Sequence, residues 1–365
     1  MQKKIIALAI AAALTAPALA FADATVYGVA DLSIDRVNNG ASTATNGITT
    51  NQLVSNASRV GVKGSEDLGG GMSVVYQMEG TVGMDTGATT PGQLFDRDTF
   101  LGLASAAGTG IVGRHDTPYK MATRKLDLFA DSAADNRKPM GNGLMGNGLQ
   151  DARLSNVIAY VSPNLGGLTI IGATVFGAET AQNVAGVADK KGSALSLAGM
   201  FAQGPIYATL AYQTVKFGTA LSGDLGAGLL VAGTAADDKT SAIKAGFGYS
   251  MEMFAANVVV EKITANIAAL STSSISNTNF ALNGKFNITS ADAVKLAYTK
   301  RGDQTSAAGP TPIGPMLTGG KLIAVGYDHE MSKNTTVYAL YAKFTPSLTT
   351  APTPSTLSIG MKHSF

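Results

Sequence analysis

Few residues in this sequence could carry catalytic chemistry. Histidine occurs three times, as His115, His329 and His363, and cysteine does not occur at all. Without a thiol there is no disulfide, thiolate metal site or cysteine nucleophile. His329-Glu330 is not continued by a second histidine, so the helical zinc-hydrolase motif is missing. No glycine motif for phosphates or dinucleotides stands between a strand and a helix. Oxygen-rich loops could take Ca²⁺, yet no ligand spacing marks a site, so no cofactor and no enzyme are expected. The chemistry that remains is electrostatic. Arg59 and Lys63 share one face of Arg59-Val60-Gly61-Val62-Lys63, with Val60 and Val62 on the other. Further on, Asp127, Asp131 and Asp135 recur four apart, amid Lys120, Arg124, Lys125, Arg137 and Lys138. Rings of charged side chains around a common space discriminate between ions. The alternative for the three aspartates is a short helical turn with all of them on one solvated face.

The elements that must position these charges are strands. Period-two alternation recurs along the chain. Residues 253–262 put Phe254, Ala256, Val258 and Val260 on one face, and Ala255, Asn257, Val259 and Glu261 on the other. Residues 242–249 put Ile243, Ala245, Phe247 and Tyr249 opposite Lys244, Gly246 and Gly248. Ile206, Ala208, Leu210 and Tyr212 oppose Tyr207, Thr209 and Gln213, and Val294, Leu296 and Tyr298 oppose Lys295, Thr299 and Arg301. No uncharged apolar run after the first residues is long enough for a membrane helix. The strands are about 10 residues long, which suits tilted membrane-crossing strands. Seven short connections alternate with eight long ones, the longest being Pro118–Ala152. That asymmetry is a mark of bacterial transmembrane barrels. The expected fold is all-β: an antiparallel transmembrane barrel of about sixteen strands, closed so that every backbone group in hydrocarbon is paired. A barrel of that size has a lumen too wide for side chains to fill, so it holds water.

On this reading Val60 and Val62 face lipid, and Arg59 and Lys63 face the lumen. Ile158 and Tyr160 likewise set a lipid face that gives Arg153 lumen parity. A charge facing lipid at mid-membrane costs about 2–4 kcal/mol, which favours the inward placement. Tyr27, Tyr76, Tyr160, Tyr212, Tyr249 and Phe286 are expected in the interfacial girdles, which must do without tryptophan.

The first residues read as an address. Lys3 and Lys4 precede the apolar run Ile5–Ala16, and Ala20-Phe21-Ala22 fits a signal-peptidase site, with Ala18-Leu19-Ala20 competing. The expected division is a signal peptide over 1–22 and a barrel over 23–365. Removing 1–22 takes two lysines and no acid, leaving 25 residues of each sign. Bulk charge therefore gives no reason to expect a nucleic-acid partner, and any ion preference must come from where charges sit.

Several motifs carry a family resemblance. They are Val26-Tyr27-Gly28 with Asp31; Ser58-Arg59-Val60-Gly61-Val62-Lys63-Gly64-Ser65-Glu66-Asp67-Leu68-Gly69-Gly70-Gly71; Arg97 with Gly102-Leu103; Gly108-Thr109 with Gly113-Arg114; and Arg153 with Asn156, Tyr160 and Ser162-Pro163. Gly326-Tyr327, Ser332-Lys333 and the ending Gly360-Met361-Lys362-His363-Ser364-Phe365 complete the set. From residue 24 onward the chain resembles the Gram-negative general porins, in particular the trimeric beta-proteobacterial type.

The resemblance implies a homotrimer in the outer membrane, in contact with lipid and lipopolysaccharide, passing small hydrophilic solutes and ions by passive diffusion. It implies that the third loop, Pro118–Ala152, folds into the pore. It adds Arg97 and Arg114 to Arg59, Lys63 and Arg153 as a basic wall, faced by Asp127 and Asp131 on that loop. It makes Phe365 a signal for the barrel-assembly machinery. The excess of cations on the third loop hints at anion preference. A solute-specific channel would want a track of aromatics along the pore, and none is evident. A barrel enzyme, or a receptor or adhesin barrel acting through its outer loops, are the other readings.

Overall fold

The computed structural model describes residues 24–41, 46–140, 149–176, 192–217, 238–266, 274–306 and 319–365. The expected signal peptide lies outside these residues, as does most of the loops expected at 179–191, 218–238 and 304–319. Eighteen strand segments form one antiparallel sheet that closes on itself through β1 and β18. In chain order the first six are β1 (Thr25–Asn38), β2 (Thr49–Ser55), β3 (Arg59–Gly69), β4 (Met72–Thr81), β5 (Thr99–Ser105) and β6 (Gly108–Asp116). The next six are β7 (Arg153–Val161), β8 (Leu168–Phe176), β9 (Ser193–Gln203), β10 (Ile206–Lys216), β11 (Lys239–Ser250) and β12 (Phe254–Asn266). The last six are β13 (Ile275–Asn287), β14 (Asp292–Arg301), β15 (Thr305–Ser306), β16 (Gly320–Ser332), β17 (Thr335–Pro346) and β18 (Ser355–Ser364).

Two pairs of segments are single barrel strands broken by a kink. β2 and β3 both pair with β1, and β14 and β15 both pair with β13. Sixteen crossing strands remain, joined by short turns at one end and longer loops at the other. Six of the seven expected short turns sit at junctions between consecutive segments, whereas the first, Glu66–Gly70, falls mostly within β3, which runs on to Gly69. The first expected loop, Val37–Asn56, is in large part sheet, because β2 pairs with β1 from Thr49 to Ser55. The second is longer than expected and spans 82–98.

The alternation sorts as physics requires. Val60, Leu101, Val112, Ile158, Leu210, Ile243, Val260, Leu296, Ile323 and Ile359 are exposed on the outer face. In water such a belt would be an aggregation surface; against lipid it is the expected contact. The inward row of β10–β13 carries buried polar residues among small and apolar ones: Gln213, Lys244, Asn257, Glu261, Asn279 and Asn283. Tyr27 is a correction. Its partner across the sheet is the buried Gly61, and its hydroxyl donates to Glu79 Oε2 at 2.8 Å. It therefore points inward and belongs to no girdle.

The barrel seam is closed by the last residue. Phe365 and Gly28 exchange backbone hydrogen bonds of 3.0 and 3.1 Å. The Phe365 ring lies over Gly28 so closely that a Cβ at that position would collide with it.

Candidate functional site

The third loop leaves β6 at Asp116 and returns at Arg153; residues 141–148 lie outside the described residues, and the rest of it packs inside the barrel rather than over it. Its first turn is a short helix, Pro118–Thr123, which Thr117 caps by accepting from the Lys120 amide. Pro118 suits this start because its missing N–H is not needed there. Tyr119 is wholly buried, with its hydroxyl on Glu261 at 2.8 Å and its amide on Ser196 Oγ at 3.0 Å. The Leu126 carbonyl accepts from both Asn257 and Asn283 at 3.1 Å, and the Ala122 carbonyl accepts from the Tyr207 hydroxyl at 2.7 Å. Leu126 sits against Gly246 and Gly248, and Phe129 against Gly326. A Cβ at Gly248 would lie 2.7 Å from Leu126, so the wall is glycine where the loop presses in. Beneath it, Lys244 joins Asp151 at 2.7 Å and Glu261 at 3.3 Å, all three buried. A buried charge persists only when paired in this way.

This anchoring brings charged residues together in two clusters. In the first, Glu79 on β4 lies between Arg97 Nε at 2.5 Å and Arg59 Nε at 3.7 Å. Asp131 of the third loop stands 3.8 Å from Arg59 Nη1 and 3.0 Å from Arg137 Nη2. Arg137 also clamps Asp135. In the second cluster, the carboxylate of Asp116 collects Lys120 at 2.9 Å, Arg153 at 3.0 Å and Arg124 at 3.2 Å. Arg153 also reaches Asp98 at 2.7 Å. Arg114 donates to the Asp96 carbonyl at 2.7 Å and to Ser155 Oγ at 2.9 Å. The first cluster balances three cations with three carboxylates; the second sets three cations against two.

The expected wall residues therefore divide. Arg59, Arg97, Arg114 and Arg153 come together around the loop. Lys63 does not join them: it lies nearer the short-turn end, with its ammonium 4.8 Å from the Tyr27 ring centroid. Asp131 faces Arg59, 3.8 Å away. Asp127 does not. Its two oxygens accept from the amides of Phe129 and Asn136, both at 2.9 Å, so it knits the loop to itself. Nor do Asp127, Asp131 and Asp135 share a helix face: no helix spans them, and Asp131 has φ +66°. Burial, reinforced by the charge of Asp135, pushes the Asp127 carboxyl up to about 7. Asp135 is also buried, which opposes ionisation, but Arg137 holds it below the usual carboxylate range.

The counter-carboxylates Glu79, Asp98 and Asp116 were not singled out from the sequence. Glu79 shares parity with Gln77, opposite Tyr76 and Met78, so alternation alone could have placed it inward. Asp98 and Asp116 were marked by their neighbours, in Asp96-Arg97-Asp98 and Arg114-His115-Asp116. Local strain accompanies the clusters. Ala57 beside Arg59 has φ +53°, and Asn156 between Arg153 and the rest of β7 has φ +58°. Non-glycine residues hold such angles only where their surroundings compel it.

A closed sixteen-strand barrel narrowed by an inward loop has relatives of known kind. The family model for Gram-negative porins matches residues 7–347. Outer membrane porin protein 32 of Delftia acidovorans is 26% identical over 341 residues, covering 93% of this chain and 88% of its own length. An outer membrane porin protein of Bordetella pertussis is 25% identical over 404 residues and is covered in full. Among solved structures, an anion-selective porin from Comamonas acidovorans superposes with a TM-score of 0.74 at 20% identity, over 94% of this chain and all of that one. OmpT of Vibrio cholerae in its trimer form superposes with a TM-score of 0.66 at 13% identity, over 94% of this chain and 99% of that one. The outward apolar belt, the inward-packed third loop and a family match along nearly the whole chain converge: the protein belongs to the Gram-negative porins, channel-forming β-barrels of the outer membrane.

Proposed function

We propose that this porin is a trimeric general diffusion channel with a preference for small anions, and that the preference is set where the third loop meets the basic wall. The observation that carries the reading is the charge balance around Asp116, where Lys120, Arg124 and Arg153 exceed Asp116 and Asp98. Arg124 is the most open of these, with 41% of its side chain exposed. Arg59, Arg97 and Arg114 line the same wall, and Asp131 supplies the facing acid. Opposite charges across a narrow gap produce a transverse field, which passes hydrated ions and dipolar solutes and disfavours apolar ones. Asp127 serves this arrangement as a positioning residue. Lys63 adds one further cation on the short-turn side. The anion-selective Comamonas relative supports the anion reading, and the trimer form of OmpT supports the oligomer. Phe365 fits the role of assembly signal because its ring stays exposed while its backbone seals the seam.

The test is the reversal potential of purified protein in planar bilayers across a KCl gradient. Its sign should report anion preference, and current should rise in three equal steps per insertion. Arg59→Ala combined with Arg153→Ala should move the potential toward cation preference. An unmoved potential would mean that selectivity is set elsewhere, and absent conductance would overturn the channel reading itself.

A further inference from the structure

We infer that the lumen carries a second recognition element on the periplasmic side of the third loop: a saturable site for amphipathic organic anions, in which a carboxylate rides on an aromatic or branched aliphatic body. The inference deepens the proposed anion pathway and rests on it.

A porin lumen is ordinarily polar. Here an apolar stripe crosses the inward face of β4–β8. Cross-strand pairing sets Val75 beside Gly102, Gly102 beside Ile111, Ile111 beside Ala159, and Val161 beside Ile171. Phe100 lies on the same face. Toward the loop end this apolar stripe is covered, because Ile111 and Ala159 continue into a buried cluster with Leu154, Val157, Val175 and Val215. Toward the turn end it is left bare and forms the floor of a cavity of about 500 Å³. Pro118 and Met121 of the third loop line it from above. That volume falls within the usual range for small-molecule sites, about 300–1,000 Å³.

The polar groups around this floor select the charge of the occupant. Lys63 lines the cavity, is exposed, and pairs with no carboxylate among the described residues; its ammonium rests on the Tyr27 ring. That sets it apart from Arg59, Arg97 and Arg153, each of which is committed to an acid. The one carboxylate lining the cavity, Asp116, already holds Lys120, Arg124 and Arg153. His115 donates from Nδ1 to the Asp116 carbonyl at 2.7 Å. Its ring meets Phe100 edge-on at 5.2 Å. Gln77 and Thr109 complete the polar margin. A sugar would leave the apolar floor uncovered, and an organic cation would meet Lys63. An aromatic or branched carboxylate satisfies both halves, with its body on Phe100, Ile111 and Val161 and its charge on Lys63.

The experiment compares 3-phenylpropionate with propionate as blockers of chloride current through the purified protein in planar bilayers. Phenylpropionate should block saturably at millimolar concentration, and propionate should not. Val161→Thr, nearly isosteric and suited to a strand, should weaken the block about five- to tenfold while leaving chloride conductance and reversal potential as in the wild type. Lys63→Gln should weaken the block comparably. Equal effects of the two acids, or wild-type block in both variants, would overturn the site. The two readings fail separately. A channel with anion preference but no differential block loses only the site, whereas saturable block in a channel without anion preference loses the general pathway.

Discussion

Asp127 occupies a position where a charge is least welcome. It lies in the folded interior of the third loop, shares that space with Asp135, and has no cation within bonding distance among the described residues. Its carboxyl is pushed from the ordinary 3.8 up to about 7. The sign follows from linkage. Between about pH 4 and pH 7 the docked loop holds a proton that a released loop would have lost. This group's contribution to docking is therefore full below the ordinary value and fades as pH rises through 7. Protease cleavage within the third loop should accelerate from pH 5 to pH 8 in the folded protein. Asp127→Asn should abolish that slope, at a uniform cost of about 1–2 kcal/mol, because an amide can accept from only one of the two backbone N–H groups. A slope that survives in Asp127→Asn would assign the pH dependence to another group. Arg137 provides the contrast two residues beyond Asp135, where a bound guanidinium keeps the neighbouring acid ionised.

The third loop is the element on which the channel depends, and two of its anchors can be tested independently. One is the buried triad of Lys244, Asp151 and Glu261; the other is the seating of Leu126 against Gly246 and Gly248. Lys244→Met would strand two carboxylates in a buried site, and breaking such a pair costs roughly 3–5 kcal/mol. Gly248→Val would leave every charge in place and drive the wall into Leu126. Both variants should open the pore, seen as larger single-channel conductance, while the barrel itself still resists denaturation by detergent. Conductance unchanged in both would mean that the loop is held by contacts other than these. None of this anchoring was legible in the sequence, although the strand pattern was. Alternation correctly set Lys244, Asn257 and Glu261 inward, because the side-chain period of a strand is a local property. What Lys244 meets there depends on a loop some ninety residues earlier, and no local pattern encodes that contact. The same limit explains Asp127. Four-residue spacing places acids on one face only if the chain is helical there, and the turn at Asp131 breaks that premise. In β7, Arg153 joins the cluster as expected, but Leu154 is buried as well, since the kink at Asn156 interrupts strict alternation.

At the scale of the whole molecule, the formal charge of residues 23–365 cancels, so selectivity cannot be a property of net charge. It has to come from a short length of the lumen where Lys120, Arg124 and Arg153 exceed their acids, with Arg59, Arg97 and Arg114 nearby. A field from so few groups has a limited reach. The Debye length is about 10 Å at 0.1 M salt and about 3 Å at 1 M. At the lower concentration the cluster polarises most of the aqueous cross-section; at the higher one, only the layer against the wall. The anion-to-cation permeability ratio, measured at a fixed gradient ratio, should therefore fall toward one as mean KCl rises from 0.1 to 1 M. In the variant with Arg59→Ala and Arg153→Ala it should be flatter over the same range. Occupancy of the apolar shelf beneath the loop should follow a different law, because the contact of an aromatic body with Phe100 and Ile111 is not screened. Phenylpropionate block, held in part by Lys63, should then weaken less steeply with salt than the chloride preference does. If block and preference decline together, both are expressions of one electrostatic cluster, and the shelf contributes no recognition of its own.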